Sequence, residues 1–187
     1  MVKGGSRLIG LLIIACEIGF WVFVIAGLVA RYLLKKKTLG LVFLFCTPLI
    51  DLLLLIFTLF DLKNGATADM FHGLAAIYIG ASISWGRQMI QWADRQFVYR
   101  FAGGEKPVKR KLYGKELARE ERRGWYRHFL AWTIGGSLLA FMILYINNLE
   151  QTKALAQILF GWTIVLIIDF LISFSYTIFP KKESTHG

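Results

Sequence analysis

A chain of 187 residues that is 56% hydrophobic and only 18% charged, with a mean hydropathy of +0.54, departs far from the composition of a soluble domain. Its apolar residues are gathered in long blocks and its charges in a few short ones, which excludes a soluble core that interleaves the two at helical or strand period. A net charge of +10 raises nucleic acid as a partner, but no zinc-ligand, helix-turn-helix or RNP pattern accompanies it. The cations crowd beside apolar blocks, so a lipid bilayer with anionic headgroups is the expected partner and nucleic acid is not.

A hydrocarbon core about 30 Å thick needs about 20 helical residues, and five blocks of suitable length follow one another along the chain. The first runs from Leu8 to Leu34 and stops at Lys35, Lys36 and Lys37. Its Ile13-Ile14-Ala15-Cys16 stretch resembles a lipoprotein cleavage box, yet the apolar run continues through Gly19, Phe20 and Trp21, which favours an uncleaved helix. The second spans Leu39 to Leu62 and closes on the turn-forming Lys63-Asn64-Gly65. The third, about Ala68 to Ile90, is rich in Gly, Ala and Ser and is the weakest of the five. The fourth, about Trp125 to Ile146, ends at Asn147-Asn148, and the fifth, about Ala154 to Phe179, ends at Pro180-Lys181-Lys182. Cys16 and Cys46 both fall inside apolar blocks without metal or CxxC spacing and read as small buried hydrophobes. The expected fold is all-α: a polytopic membrane protein of five transmembrane helices forming a single membrane domain over residues 1–187.

Lys and Arg near the span ends set the orientation. Twelve lie between Arg87 and Arg127, and others mark Arg31 with Lys35 to Lys37 and the tail at Lys181 and Lys182, while Lys63 and Lys153 stand alone in their connections. With five spans the rich and poor segments alternate, placing the N-terminus outside and the C-terminus in the cytoplasm of a plasma membrane. Lys3 and Arg7 in the short N-terminal tail oppose that orientation, but two richer loops outweigh them.

The segment from about 91 to 124, between the third and fourth spans, is the expected cytoplasmic basic loop, broken at Gly103-Gly104 and Pro107. Before the break, Met89, Ala93, Phe97 and Phe101 recur at i, i+4 and suit an interfacial helix. After it, Lys115 to Arg123 is strongly helix-prone, with charges of both signs. Lys106, Lys109, Arg110, Lys111, Lys115, Arg119, Arg122 and Arg123 are the residues expected to meet lipid headgroups or an acidic partner, with Trp125 and Tyr126 as belt residues. Each such cation beside an anionic surface contributes about 1 kcal/mol.

The functional clue lies in three acids. Glu17, Asp51 and Asp169 sit inside spans, roughly 10 to 20 Å from the outer edge of the core at 1.5 Å rise per residue. An acid at a helix centre costs roughly 2.5 to 3.5 kcal/mol, so something must compensate for it: protonation, hydrogen bonding in a polar interior, or a bound cation. No Lys or Arg lies at that depth. Thr47, Asp51, Leu55 and Thr58 share one helical face, and Pro48 frees the carbonyl of Leu44. Asp169, Ser173, Tyr176 and Thr177 make a similar stripe on the fifth helix, with Trp162 two turns earlier. Nearer the outer surface, Asp69 and His72 form a polar pair on the third helix, beside Gly73, Ala76 and Gly80, which permit close helix approach.

Three functions compete. The first is a proton- or cation-responsive, transport-related or regulatory component centred on Glu17, Asp51 and Asp169. The second is an accessory or scaffold protein acting through the basic loop, its acids serving as hydrogen-bond glue between helices. The third is a membrane enzyme with metal held by Asp69, His72 and other carboxylates; it rests on the weak Asp-x-x-His spacing, with no HExxH, GxSxG, P-loop or paired CxxC in the chain, so catalysis and a cofactor are not expected. The strings PLIDLLLLIF and VLIIDFLISF around Asp51 and Asp169 sit in opposed hairpins, as inverted repeats would, although runs of Leu and Ile also match by chance. Five short spans enclose little volume, so a permeation path would call for a homo-oligomer or a partner membrane subunit.

Overall fold

The computed structural model describes residues 3–101, 104–106 and 112–180. Among them the secondary structure is helical throughout, with no strand. The elements are α1 (Lys3–Leu28), continued by a π-helical turn at Val29–Leu33, α2 (Lys37–Lys63), α3 (Met70–Phe101), α4 (Gly114–Ile146) and α5 (Leu149–Ile178). Four segments are long and apolar enough to cross a membrane: Leu11–Leu33, α2, α4 and α5. The outer faces of these helices carry Leu, Ile, Val and Phe in the open, as a helix facing lipid does.

The weak third block becomes α3, and its low hydropathy has a packing cause. α3 lies against α2, α4 and α5 at once, so one face of its first half is turned to protein while Phe71, Leu74 and Tyr78 stand exposed on the other. His72, Gly73, Ala75, Ala76, Ile79 and Gly80 are all buried there. A Cβ on Gly80 would collide with the carbonyl of Ala131, and one on Gly135 would stand 2.5 Å from the carbonyl of Ala76. The α3 and α4 backbones therefore touch, which small residues alone permit. α1 packs chiefly on α2, and α4 on α5, so two hairpins flank α3. Gly27 against Leu44 and Gly40 against Arg31 set the antiparallel register of the first hairpin.

The chain ends its helices where turn chemistry says it should. Gly65 takes a left-handed φ of 94° after α2. Asn147, at φ 51°, is the left-handed residue that stops α4, and the Asn148 side chain accepts hydrogen bonds from the backbone N–H groups of Glu150 and Gln151 to start α5. On the same face Ala68 N–H donates to the Gln151 carbonyl at 2.8 Å, and Lys63 meets the Tyr145 ring 4.2 Å from its centroid.

The opposite end differs from expectation. The helices expected before and after the break in the basic segment are continuous with those of the third and fourth blocks: α3 runs unbroken to Phe101 and α4 already begins at Gly114. With 32 and 33 residues these helices are about 48 and 50 Å long, well beyond a 30 Å core, because their polar ends remain good helix formers. Lys109, Arg110 and Lys111 lie outside the described residues.

Candidate functional site

The three membrane acids do not form one cluster. Asp51 is buried on α2 in the face it shares with Thr47, Leu55 and Thr58, all of them buried too. The Leu44 carbonyl that Pro48 frees accepts from the Thr47 hydroxyl at 2.8 Å, so it is not left an unsatisfied acceptor. Thr58 likewise donates to Leu54 at 2.8 Å. Asp51 itself makes no hydrogen bond among the described residues, and its Oδ2 is buried without a partner. The α1–α2 register brings Glu17 to within about one helical turn of its level, and Cys16, beside Glu17, lies within electrostatic reach of both acids. Glu17 is half-buried.

Asp169 has a different environment. From α4, the His128 Nδ1 stands 2.8 Å from Asp169 Oδ2, while Ser173 donates to Oδ1 at 3.4 Å. The other imidazole nitrogen is also engaged: Trp162 Nε1–H donates to His128 Nε2 at 3.0 Å. A nitrogen that accepts cannot carry a proton, so the imidazole is the Nδ1–H tautomer and donates to the carboxylate. Trp85 of α3 covers the imidazole, with ring centroids 5.9 Å apart. Nearby, Trp132 donates to Thr163 at 3.1 Å and Trp125 to the Leu166 carbonyl at 3.3 Å. His128 was passed over in the sequence because only Lys and Arg were weighed as counterions. It is one of three histidines in the chain and could have been found by asking which imidazole reaches the depth of an acid.

Asp69 and His72 serve the start of α3. Asp69 Oδ1 accepts from the N–H groups of Phe71 at 2.9 Å and His72 at 3.2 Å, as a helix N-cap does, and His72 Nδ1 lies 2.8 Å from the same oxygen. Among the described residues no three His, Cys, Asp or Glu come together as metal ligands.

A second polar centre, absent from the sequence reading, joins α1 to the α3 extension. The π turn buries Arg31, whose Nε donates to Asp94 Oδ1 at 2.7 Å, whose Nη2 donates to Asp94 Oδ2, and whose Nη1 donates to the Lys37 carbonyl at 3.1 Å. Tyr32 donates to Asp94 at 3.1 Å and stacks on Phe97. Hydrogen bonding from Arg31 holds the Asp94 carboxyl below the ordinary carboxylate range, against the opposing effect of partial burial. A depressed folded-state value means that the stabilisation is complete above the unfolded value, near about pH 3.9, and is lost only as pH falls through the lower folded value. Asp94→Asn should therefore destabilise by about 1 to 3 kcal/mol, with Arg31 left buried and half-paired. Denaturant midpoints of both proteins at pH 5 and pH 8 should show the same gap; a gap present only at pH 8 would contradict the assignment.

The cationic residues of the α4 extension face outward. Lys115, Arg119 and Arg123 line an open groove of about 330 Å³ with Leu112, Glu116 and Glu120. Arg123 pairs with Glu120 at 3.5 Å, and Arg122 is turned away to donate to Thr177 at 2.6 Å. Lys106 is exposed.

No family model matches the chain, and no solved structure matches it. Among curated proteins it is 53% identical over 173 residues, 92% of each chain, to an uncharacterized membrane protein, YmcC, of Bacillus subtilis (strain 168).

Proposed function

This chain belongs to the family of the Bacillus subtilis membrane protein YmcC, and for it we propose a small proton- or cation-responsive membrane protein, transport-related or regulatory, whose responsive centre is Asp51 with Glu17 beside it. The observation that carries this reading is the buried Oδ2 of Asp51 without a hydrogen-bond donor. An acid that served as glue between helices would be bonded across an interface, as Asp169 is to His128. Asp51 has no such bond, and the choices left to a buried acid are a proton or a cation that comes and goes. Asp51→Asn tests it: the side chain keeps its shape and loses its titration. A homo-oligomer or partner subunit would supply any pathway that five helices are too few to enclose.

The reading takes the protein as one membrane domain with five spans, the N-terminus outside and the C-terminus in the cytoplasm of the plasma membrane. Support for α3 as the fifth span comes from its backbone contact with α4 and its shielding by three neighbours. Single cysteines at Asn64→Cys and Leu112→Cys, in a chain lacking Cys16 and Cys46, should react with a membrane-impermeant maleimide from opposite sides, Leu112→Cys from the cytoplasm. Labelling of both from one side would remove α3 as a span.

One observation favours the rival reading of a scaffold. The α3 and α4 ends project beyond the core length, and Lys115, Arg119 and Arg123 line an open groove where anionic headgroups or an acidic partner would sit. Unaltered activity of Asp51→Asn would favour it.

A further inference from the structure

A second place in the bundle holds a base whose two ring nitrogens are both engaged. His128 is flanked by two groups of opposite demand: Asp169 Oδ2 on Nδ1, which accepts, and the Trp162 indole N–H on Nε2, which donates. Trp162 is also a wedge. It is buried on α5, and its Cζ3 and Cη2 stand 2.7 and 2.9 Å from where a Gly135 Cβ would be, at the point where the Ala76 carbonyl of α3 approaches α4. The indole therefore fills the junction of α3, α4 and α5, and the hydrogen bond to Nε2 fixes its orientation there.

We propose that His128 is a proton-binding site whose occupancy releases Trp162 from the α3–α4–α5 junction. The proton adds to the Nε2 lone pair, giving an imidazolium with N–H groups at both nitrogens; no bond between heavy atoms forms or breaks. Nδ1–H remains on Asp169, which now balances a full positive charge. At Nε2 two donors face each other across the 3.0 Å gap, and the indole N–H has to turn away. Among the described residues, the charged group facing the imidazole from α5 is Asp169. From α3 it meets the neutral Trp85 ring, and the adjacent cation on α4 itself, Arg127, is directed to Gln88 at 3.1 Å. The indole is the mechanical output of a proton bound at Nε2. Because α3 also packs on α2, a shift at this junction is placed to reach the helix that carries Asp51. The site is independent of the Asp51 reading and would stand if that reading failed.

The test follows the indole directly. Uniformly 15N-labelled full-length protein in phosphatidylcholine nanodiscs is titrated between about pH 8 and pH 5, the range in which imidazoles change charge. The Trp162 indole N–H resonance is identified by its absence from Trp162→Phe. It should move with pH in the wild type, and move equally in Asp51→Asn. In His128→Gln it should not move. A Trp162 resonance that stays fixed in the wild type, or one that shifts equally in His128→Gln, overturns the proposal. Should His128→Gln not assemble, the wild-type imidazole 15N shifts decide the matter: a Nδ1–H tautomer at high pH giving way to a doubly protonated ring in step with the indole supports it, and a ring that keeps one tautomer throughout overturns it.

Discussion

Asp51→Leu should yield a more stable protein that has lost the proton response of its α2 centre. In the folded bundle the carboxyl occupies a buried position with one oxygen unpartnered, while the neighbouring hydroxyls of Thr47 and Thr58 are committed to backbone carbonyls. Leaving a buried polar atom unpaired costs about 1 to 3 kcal/mol, and an apolar side chain of similar size removes that cost. The expectation is therefore a gain of about 1 to 3 kcal/mol for Asp51→Leu and little change for Asp51→Asn. Across an acid–base titration both variants should take up about one proton fewer than the wild type, as linkage requires when a single titrating group is deleted. Unfolding in a mixed-micelle denaturant series gives the stabilities, and a potentiometric titration of purified protein gives the stoichiometry. A residue retained for stability would behave in the opposite way, with both variants less stable. That outcome, together with an unchanged proton count, would return Asp51 to a structural role.

Gly80→Leu should be the most damaging single change in the bundle. The Gly80 backbone meets the Ala131 carbonyl, which belongs to the main chain of α4 and cannot rotate aside as a side chain could. Inserting a side chain into such a contact costs about 3 kcal/mol, at the upper end of overpacking effects, because α3 and α4 must separate along their length. Gly161 supplies the control. Nothing lies within 4 Å of a Cβ built there, so Gly161→Ala should gain the helix-propensity difference of about 0.5 to 1 kcal/mol. Thermal unfolding of the three proteins in one detergent compares them, and a Gly80→Leu protein as stable as the wild type would mean that α3 is not held against α4.

What the sequence discloses about this molecule follows from what a bilayer forces on a chain. Span lengths are fixed by the thickness of the hydrocarbon, so the helices at Leu39–Leu62 and Trp125–Ile146 could be read directly. Asn64-Gly65 and Asn147-Asn148 marked the turns because few residues adopt left-handed backbone easily. Depth did not separate the three acids, because Glu17 and Asp169 at a similar level are only half-buried while Asp51 is buried. The partners of the acids were another matter, since His128 and Asp169 are 41 residues apart and Arg31 and Asp94 are 63 apart. Nothing in hydropathy pairs them. The π turn that rotates Arg31 inward has no signature in the string VARYL, and hydropathy gives no sign that the helices expected on either side of Gly103 run straight on from the third and into the fourth apolar block.

The two-residue link at Asn147-Asn148 bears on how the molecule is made. So short a connection leaves no segment for α4 to wait in alone, and α4 and α5 must enter the bilayer as one hairpin. The π turn that continues α1 is joined to α2 by only three residues, and that pair faces the same constraint. Between these hairpins in the chain stands α3, whose Gly and Ala face packs on helices made after it: two of its three main partners, α4 and α5, are not yet synthesised when it emerges. The nascent chain therefore passes through a stage at which α3 has only the first hairpin for cover, and arrival of the last hairpin closes it.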